Sequence, residues 1–352
     1  MYTQEQIFTL NGGTTMERQI IHVDISTFAV SIERLRNSGL RKRPVIIGYP
    51  NMPRSLVYAT SFEAREMGIN RGIPLQMAHK MCRDLIVVPP DHAVYSRAMH
   101  AILKIMTDFS PIIEPRGYGH AFLDMTGTTR LFGATKDAAA KIQRDIRNRL
   151  SLDSTLGVAS NKLVSKIASA VIQPVSLQDV APGYEERFIA PLEVKHLPTI
   201  NTKVKQQLLD FNIRLIEQIA QLSLSHLTAV FGKTGSRLYQ ASHGIDNTPV
   251  QPPHQSSNIF EEQTLSEDTN DIEILRSVLR ILVERASLQL RRDQRMTRKF
   301  TLEINYSDHR VAYGQRKLQT ATNLDYLLFP VVDALFQKIL TRRTRVRKLK
   351  LR

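Results

Sequence analysis

Acidic residues are in short supply: 33 aspartates and glutamates face 48 lysines and arginines across 352 residues, a formal charge of +15. Such a balance favours a polyanionic partner over an acidic small molecule, nucleic acid first, although a membrane surface or a ribosome would attract the same charge. Cysteine occurs once, at Cys82. That excludes an internal disulfide and any multi-cysteine zinc site, and leaves a small buried residue as its role. No apolar run reaches the roughly 18 residues that span a bilayer. The opening MYTQEQIFTLNGG has neither the basic start nor the apolar block of a signal peptide, so a cytoplasmic chain without membrane contact is expected. Internal repeats and low-complexity tracts are also absent. What remains is an ordinary folding composition, 42% hydrophobic, in a chain longer than one core usually supports, which predicts two or more domains.

Residues 1–18 carry no periodic pattern and are expected to be a disordered or non-native extension, with Met16 as an alternative start. From Gln19 to Val23 a β-type run ends in Asp24, and a helix follows from Phe28. This places Asp24 at the carboxyl end of a strand, a usual location for chemistry. Strands and helices then alternate through residue 190, with strands expected at Arg43–Gly48, around Ile112–Met125 and at Thr155–Ala159, and helices at Tyr95–Phe109, Thr135–Leu150 and Lys162–Ile172. Residues 191–246 have almost no strand signal and are expected to be helical. The proline-bearing stretch 247–257 is expected to be a linker. The remainder, 258–352, has the order βαββαβ of a ferredoxin-like domain.

Several runs, in order and spacing, resemble the Y-family DNA polymerases, whose members copy damaged templates. They are IIHVDISTFAVSIE (Ile20–Glu33), RPVIIGYP, ATSFEAREMGINRGIPLQMAHKMC, AFLDMTGTTRLFG and GVASNKLVSKIAS, and the likeness extends over residues 19–352. The resemblance implies an α+β, right-hand architecture: a palm with small fingers over 19–190, a helical thumb with a helix-hairpin-helix-like unit over 191–246, and a basic, ferredoxin-like little finger over 258–352. It also implies two Mg²⁺ ions serving phosphoryl transfer onto a primer 3′-hydroxyl, held by several carboxylate oxygens.

By that resemblance Asp24 stands at the first metal-ligand position and the Ile25 backbone carbonyl at a neighbouring one. The other two carboxylates belong to a motif of the form S-I-D-E-A-F-L-D, which here reads Gly117-Tyr118-Gly119-His120-Ala121-Phe122-Leu123-Asp124. Gly119 offers no side-chain ligand, and the imidazole of His120 suits softer metals than Mg²⁺. Glu114 and Asp124 have counterparts in complete family members and are expected to form structural hydrogen bonds. The nucleotide pocket departs from the family pattern as well. Ala29, beside Phe28, stands where a bulky aromatic excludes the ribose 2′-hydroxyl. Thr60 and Arg65 keep the family's triphosphate grip, but Phe62 replaces a phosphate-binding tyrosine and Gln173-Pro174 replaces a K-P dipeptide. Removing that cation costs about 1–3 kcal/mol of phosphate binding.

Weaker signals receive plainer expectations. Asn161, Lys162 and Lys166 are expected to be a solvated helix face. LPTIN, Leu197–Asn201, resembles a helix-hairpin-helix turn with Thr199 and Asn201 where glycines are usual, and QLSL, Gln221–Leu224, is expected to be an ordinary packed helix rather than a clamp-binding peptide. Two basic clusters, Arg291, Arg292, Arg295, Arg298, Lys299 and Arg342, Arg343, Arg345, Arg347, Lys348, Lys350, are expected to contact DNA phosphates. The whole resembles the ImuB type of non-catalytic member: it implies primer–template DNA binding during translesion synthesis, with nucleotidyl transfer lost or severely reduced and no cofactor, beside an active polymerase and the sliding clamp. The long C-terminal region usual in that type is not among these residues. The alternative is an active error-prone polymerase with an atypical Mg²⁺ site around Asp24.

Overall fold

The computed structural model describes residues 7–9, 15–50, 55–198, 200–252 and 258–352, and the chain divides into two compact units, Met1–Pro253 and His254–Arg352.

The first unit is built on a five-stranded sheet whose centre is Ile20–Asp24. IIHVD is buried along both faces until its last residue, which is what a strand covered on both sides demands. His120–Asp124 and Thr155–Ala159 flank it, both antiparallel, with Ile113–Pro115 and Leu177–Asp179 at the edges. Alternation divides the sheet's side chains between two layers. Ile21, Val23, Leu123, Leu156 and Val158 face a core shared with helices Phe28–Arg36, His92–Thr107 and Thr135–Leu150. His22 faces the other way, toward helix Lys162–Val171, where its Nδ1 meets Ser169 Oγ at 2.6 Å. That helix lies directly on the sheet because residue 157 is glycine: a Cβ there would stand 2.0 Å from Ser165 O and 2.6 Å from Ser169 N.

Around this platform a three-stranded sheet, Ala59–Thr60, Val45–Ile47 and Ile86–Val88, carries a small core with the buried Cys82. Helices Thr202–Asp210, Ile216–Ala220, Leu224–Phe231 and Lys233–Ser242 share a core with Leu163, Val164 and Ile167. Within LPTIN, Thr199 lies outside the described residues, and Asn201 caps Thr202–Asp210 by accepting from Val204 N at 2.9 Å. In QLSL, Ser223 caps Leu224–Phe231. Before the central strand, Ile7–Thr9 pairs antiparallel with Thr15–Glu17.

The stretch read as a linker is tied to the platform as far as Gln251, and residues 253–257 lie outside the described residues. Asn161 Nδ2 donates to Gly244 O at 2.8 Å, Leu163 N to Asp246 Oδ2 at 3.0 Å, and Arg18 to the carbonyls of Asp246 and Thr248. Lys162 joins Glu114 at 2.6 Å and Pro249 O at 3.2 Å, while Gln251 N donates to Glu114 Oε2 at 2.9 Å. This corrects the expected solvated face. Asn161 is buried and caps its helix, and Lys162 is largely buried, because a carboxylate 48 residues earlier waits across the sheet.

The second unit has the expected βαββαβ order. Strands Glu261–Thr269, Val346–Leu351, Thr297–Tyr306 and Val311–Thr322 form, in that spatial order, a wholly antiparallel sheet. Phe300, Leu302, Ile304 and Tyr306 pack with helices Ile272–Arg292 and Asp325–Ile339. No helix among the described residues is long and apolar enough to cross a membrane.

Candidate functional site

Strand register assembles the site. Asp24, the last residue of the central strand, stands opposite His120 on one side and Thr155 on the other. These three open into a cavity of about 560 Å³ at the carboxyl end of the central strand. Phe28, Ala29, Thr60, Phe62 and Arg65 also line it, so the structure gathers most of the residues singled out from sequence. Gln173 is exposed and not part of the lining, although its neighbours Ile172 and Pro174 are. Among the lining residues that were given no role from sequence, Tyr58, Arg71, Arg116 and Tyr118 bring rings and charge to the cavity. For Tyr118 a signal existed, since glycines on both sides announce a turn.

That turn explains the gap in the motif. Gly117 and Gly119 have φ of 97° and 83°, and Arg116 N donates to His120 O at 2.8 Å to close it. Ile25 N donates to Gly119 O at 2.8 Å, fixing the backbone against the loop after Asp24. A Cβ at 119 would stand 2.8 Å from Phe28 Cβ and 3.2 Å from Ile25 O. Glycine is thus required here by backbone conformation and by close approach together. Its absent side chain leaves Phe28 free to stack on Tyr118, with ring centroids 5.8 Å apart and planes 3° from parallel.

Around Asp24 the charge comes from the protein. Burial pushes its carboxyl above the usual range, opposed by His120, Arg65 and Lys166. His120 Nδ1 lies 3.6 Å from Asp24 Oδ1, beyond hydrogen-bond reach, and has no hydrogen-bond partner. His22 Nδ1 and Ser169 Oγ share a hydrogen bond, Ser169 Oγ also lies 2.9 Å from Lys166 O, and His22 Nε2 has no partner. Burial, helped by His120 and Lys166, holds His22 well below the usual imidazole value. Arg65 donates from Nε to Thr60 Oγ1 at 3.0 Å and lies 5.5 Å over the Phe62 ring.

These residues do not fit a pair of Mg²⁺ ions. Hard divalent cations require several oxygen ligands, and Asp24 is the sole carboxylate among the described residues of the cavity wall. Glu114 is engaged with Lys162, Arg116 and Gln251 N, and Asp124 Oδ1 accepts from Thr126 N at 3.0 Å, so both serve structural bonds. Nor do the two imidazoles offer a softer site. Their rings stack at 5.7 Å and 20°, so their in-plane lone pairs run side by side instead of converging. Among the described residues no three His, Cys, Asp or Glu side chains come together to hold a metal.

In the second unit the basic clusters separate. Arg342 pairs with Asp308 at 2.7 Å, Arg347 with Asp268 at 3.1 Å, Lys348 with Glu262 at 2.8 Å and Lys350 with Glu303 at 2.7 Å. Arg291 donates to Asn323 O and Arg298 to Gln319 O, Arg295 lines a separate cavity of about 270 Å³, and Arg292, Arg343 and Arg345 are exposed. Lys299 faces Lys317 directly across the hairpin, a like-charge pair that sequence spacing could not reveal.

A central mixed sheet with a cleft at its strand ends, a helical unit sharing its core, and a separate four-stranded βαββαβ unit define a right-hand polymerase architecture. The model of the impB/mucB/samB family matches residues 23–170, its C-terminal domain residues 256–352, and the thumb domain of DNA polymerase iota residues 195–246. A DNA polymerase IV of Dehalococcoides mccartyi is 32% identical over 92% of this chain and 83% of its own, and one of Xanthomonas euvesicatoria is 33% identical over 84% and 81%. Among solved structures, a Y-family DNA polymerase chimera superposes with a TM-score of 0.83 over 95% of this chain and 97% of its own at 21% identity. DinB from Sulfolobus solfataricus follows with 0.66 over the same shares, also at 21% identity. The chain belongs to the UmuC/DinB-like Y family of DNA polymerases.

Proposed function

We propose that this chain holds primer–template DNA during translesion synthesis, that its nucleotidyl transfer is lost or severely reduced, and that it works beside an active polymerase. The observation that carries this reading is Gly119: its φ of 83° and its approach to Phe28 leave no room for the second metal-ligand side chain, and Asp24 stands alone. DNA holding is supported by the basic second unit, whose lysines and arginines act on phosphates without reading sequence. The second reading, an active error-prone polymerase, is favoured by the 32% identity to DNA polymerase IV over most of the chain.

Primer extension with Mg²⁺ and with Mn²⁺, comparing the chain with Asp24→Ala, decides between them. No extension, or extension indifferent to Asp24, is expected; extension that disappears with Asp24 establishes the active reading instead. Binding measured in parallel should favour a primer–template junction over plain duplex, and equal affinity for both would remove the polymerase-like role.

A further inference from the structure

The second unit carries a cavity of its own, of about 270 Å³, and every residue that lines it belongs to that unit. Its walls are apolar. Val283, Ala286 and Leu290 follow one face of helix Ile272–Arg292, Leu328 and Val332 come from helix Asp325–Ile339, and Phe300 closes the side toward the sheet. The space exists because the middle residue of that first face is alanine, with a larger side chain one turn away on either side. The charged part of the lining has a single sign: Arg295, Arg298, Lys299 and Arg352, with no aspartate or glutamate among the described residues of the wall. Met296, between the helix and strand Thr297–Tyr306, is exposed, and its flexible thioether can adapt to what enters. Contacts to a phosphate backbone need cations on an open surface and make no use of an apolar space behind them. The volume lies just under the roughly 300–1,000 Å³ of drug-sized sites, which admits one or two fused rings. Apolar walls beside charges of one sign suit a compact ring-bearing body with an anionic group, the body desolvated against the helices and the anion answered by guanidinium groups.

We propose that this cavity binds a small organic anion, an aromatic body of one or two rings bearing a carboxylate or sulfonate, and that its occupant competes with nucleic acid for Arg298 and its neighbours. The binding stands apart from the function proposed above; the competition rests on it. A cation that answers the ligand's charge is withdrawn from phosphate, and the coupling is reciprocal: DNA weakens the ligand by the same factor by which the ligand weakens DNA. The basic letters around residue 298 thereby serve two anions in turn.

The test is calorimetric titration of the full chain with naphthylacetate, with its neutral amide and with acetate, for the parent protein, Ala286→Phe and Arg298→Gln. Expected is a single site with a Kd of about 1 mM or tighter for naphthylacetate, the usual affinity of a ligand of that size. The amide should bind about 10-fold more weakly for want of the charge, and acetate, lacking the rings, should give no heat. Ala286→Phe fills the space and should weaken the acid about 10-fold or more. Arg298→Gln, on the exposed part of the wall, should weaken it about 3-fold or more while the unfolding midpoint stays unchanged. If Ala286→Phe lowers that midpoint, Ala286→Leu, a smaller filling, is read in its place. Absence of binding, equal affinity for acid and amide, or affinity indifferent to both variants overturns the proposal. Primer–template affinity should fall about 3-fold with saturating naphthylacetate in the parent and stay unchanged in Ala286→Phe; a fall of the same size in both, or none in the parent, overturns the competition. A chain that holds no DNA refutes the function proposed above, and the titration still decides the cavity.

Discussion

The cavity of the first unit and the sheet of the second both hold more cations than acids, but they hold them differently. In the cavity three guanidinium groups surround one partly buried carboxylate, and the acids nearby are committed to structural bonds. In the second unit, Arg342, Arg347, Lys348 and Lys350 each have an acidic partner, while Lys299 meets another lysine. Partly exposed pairs of this kind are worth about 0–1 kcal/mol, so a phosphate can displace them. A run of basic letters therefore does not count phosphate contacts. What matters is which cations the fold leaves without an internal acid.

The two units also differ in what packs against a glycine, and this difference is the easiest to break. Gly157 lies against helix backbone, and a Cβ would meet Ser165 O at 2.0 Å; Gly314, in the second unit, would meet the side-chain ends of Ile339 and Leu335 at 2.8 Å. Gly157→Ala is expected to cost about 3–5 kcal/mol, because the backbone of helix Lys162–Val171 must lift from the sheet. Gly314→Ala should cost about 1–2 kcal/mol, since side chains can rotate away. Denaturant unfolding of both variants measures this, and a larger loss at Gly314 would remove the distinction.

Restoring the motif is the next largest perturbation. Gly119→Asp with His120→Glu supplies the missing carboxylates, but φ of 83° and the contact with Phe28 oppose the first change. We expect no recovered primer extension and a loss of about 2–3 kcal/mol. Recovered extension at unchanged stability would show that the turn yields readily and that Ala29, Phe62 and Gln173 do not by themselves prevent transfer.

Much of this was legible beforehand. Helix Thr135–Leu150 and strand Thr155–Ala159 have the bounds that their periodicity gave, because one buries a helical stripe and the other is buried on both faces. The position of Asp24 at a strand end followed in the same way. The partners did not, since they depend on register and on contacts distant in sequence. Nothing near Lys162 signals Glu114, nothing near Lys299 signals Lys317, and the stack of Tyr118 on Phe28 needs a turn whose φ values only the folded chain displays.

Acid should affect the two units at different pH. His22 is held well below the ordinary imidazole value of 6.5 by burial, with His120 and Lys166 adding to the effect. A depressed folded pKa contributes stability above the unfolded value that is lost as pH falls, so the first unit should begin to weaken below about pH 6.5. In the second unit, the Arg342 hydrogen bond holds Asp308 below the ordinary 3.8, so its contribution persists until the pH falls past that value. Unfolding of the chain and of His22→Gln between pH 7 and pH 5 tests this. The parent should lose stability over that range and the variant should not; equal slopes would place the sensitivity elsewhere.

The smallest effect separates fold from function on the sheet itself. Lys299 and Lys317 are directly opposite, a cross-strand arrangement that costs a few tenths of a kcal/mol when no anion lies between them. Lys350 gains about the same amount from Glu303 at 2.7 Å. Lys299→Ala should therefore leave the fold equally or slightly more stable while lowering the salt dependence of DNA binding by about one ion. Lys350→Ala should weaken the fold slightly and change the salt slope less, because its charge is already answered by Glu303. If both variants lower the slope equally, the ion pairs open fully on DNA. The lysine pair would then hold no special place, and the basic letters of the sequence would, after all, count the phosphates.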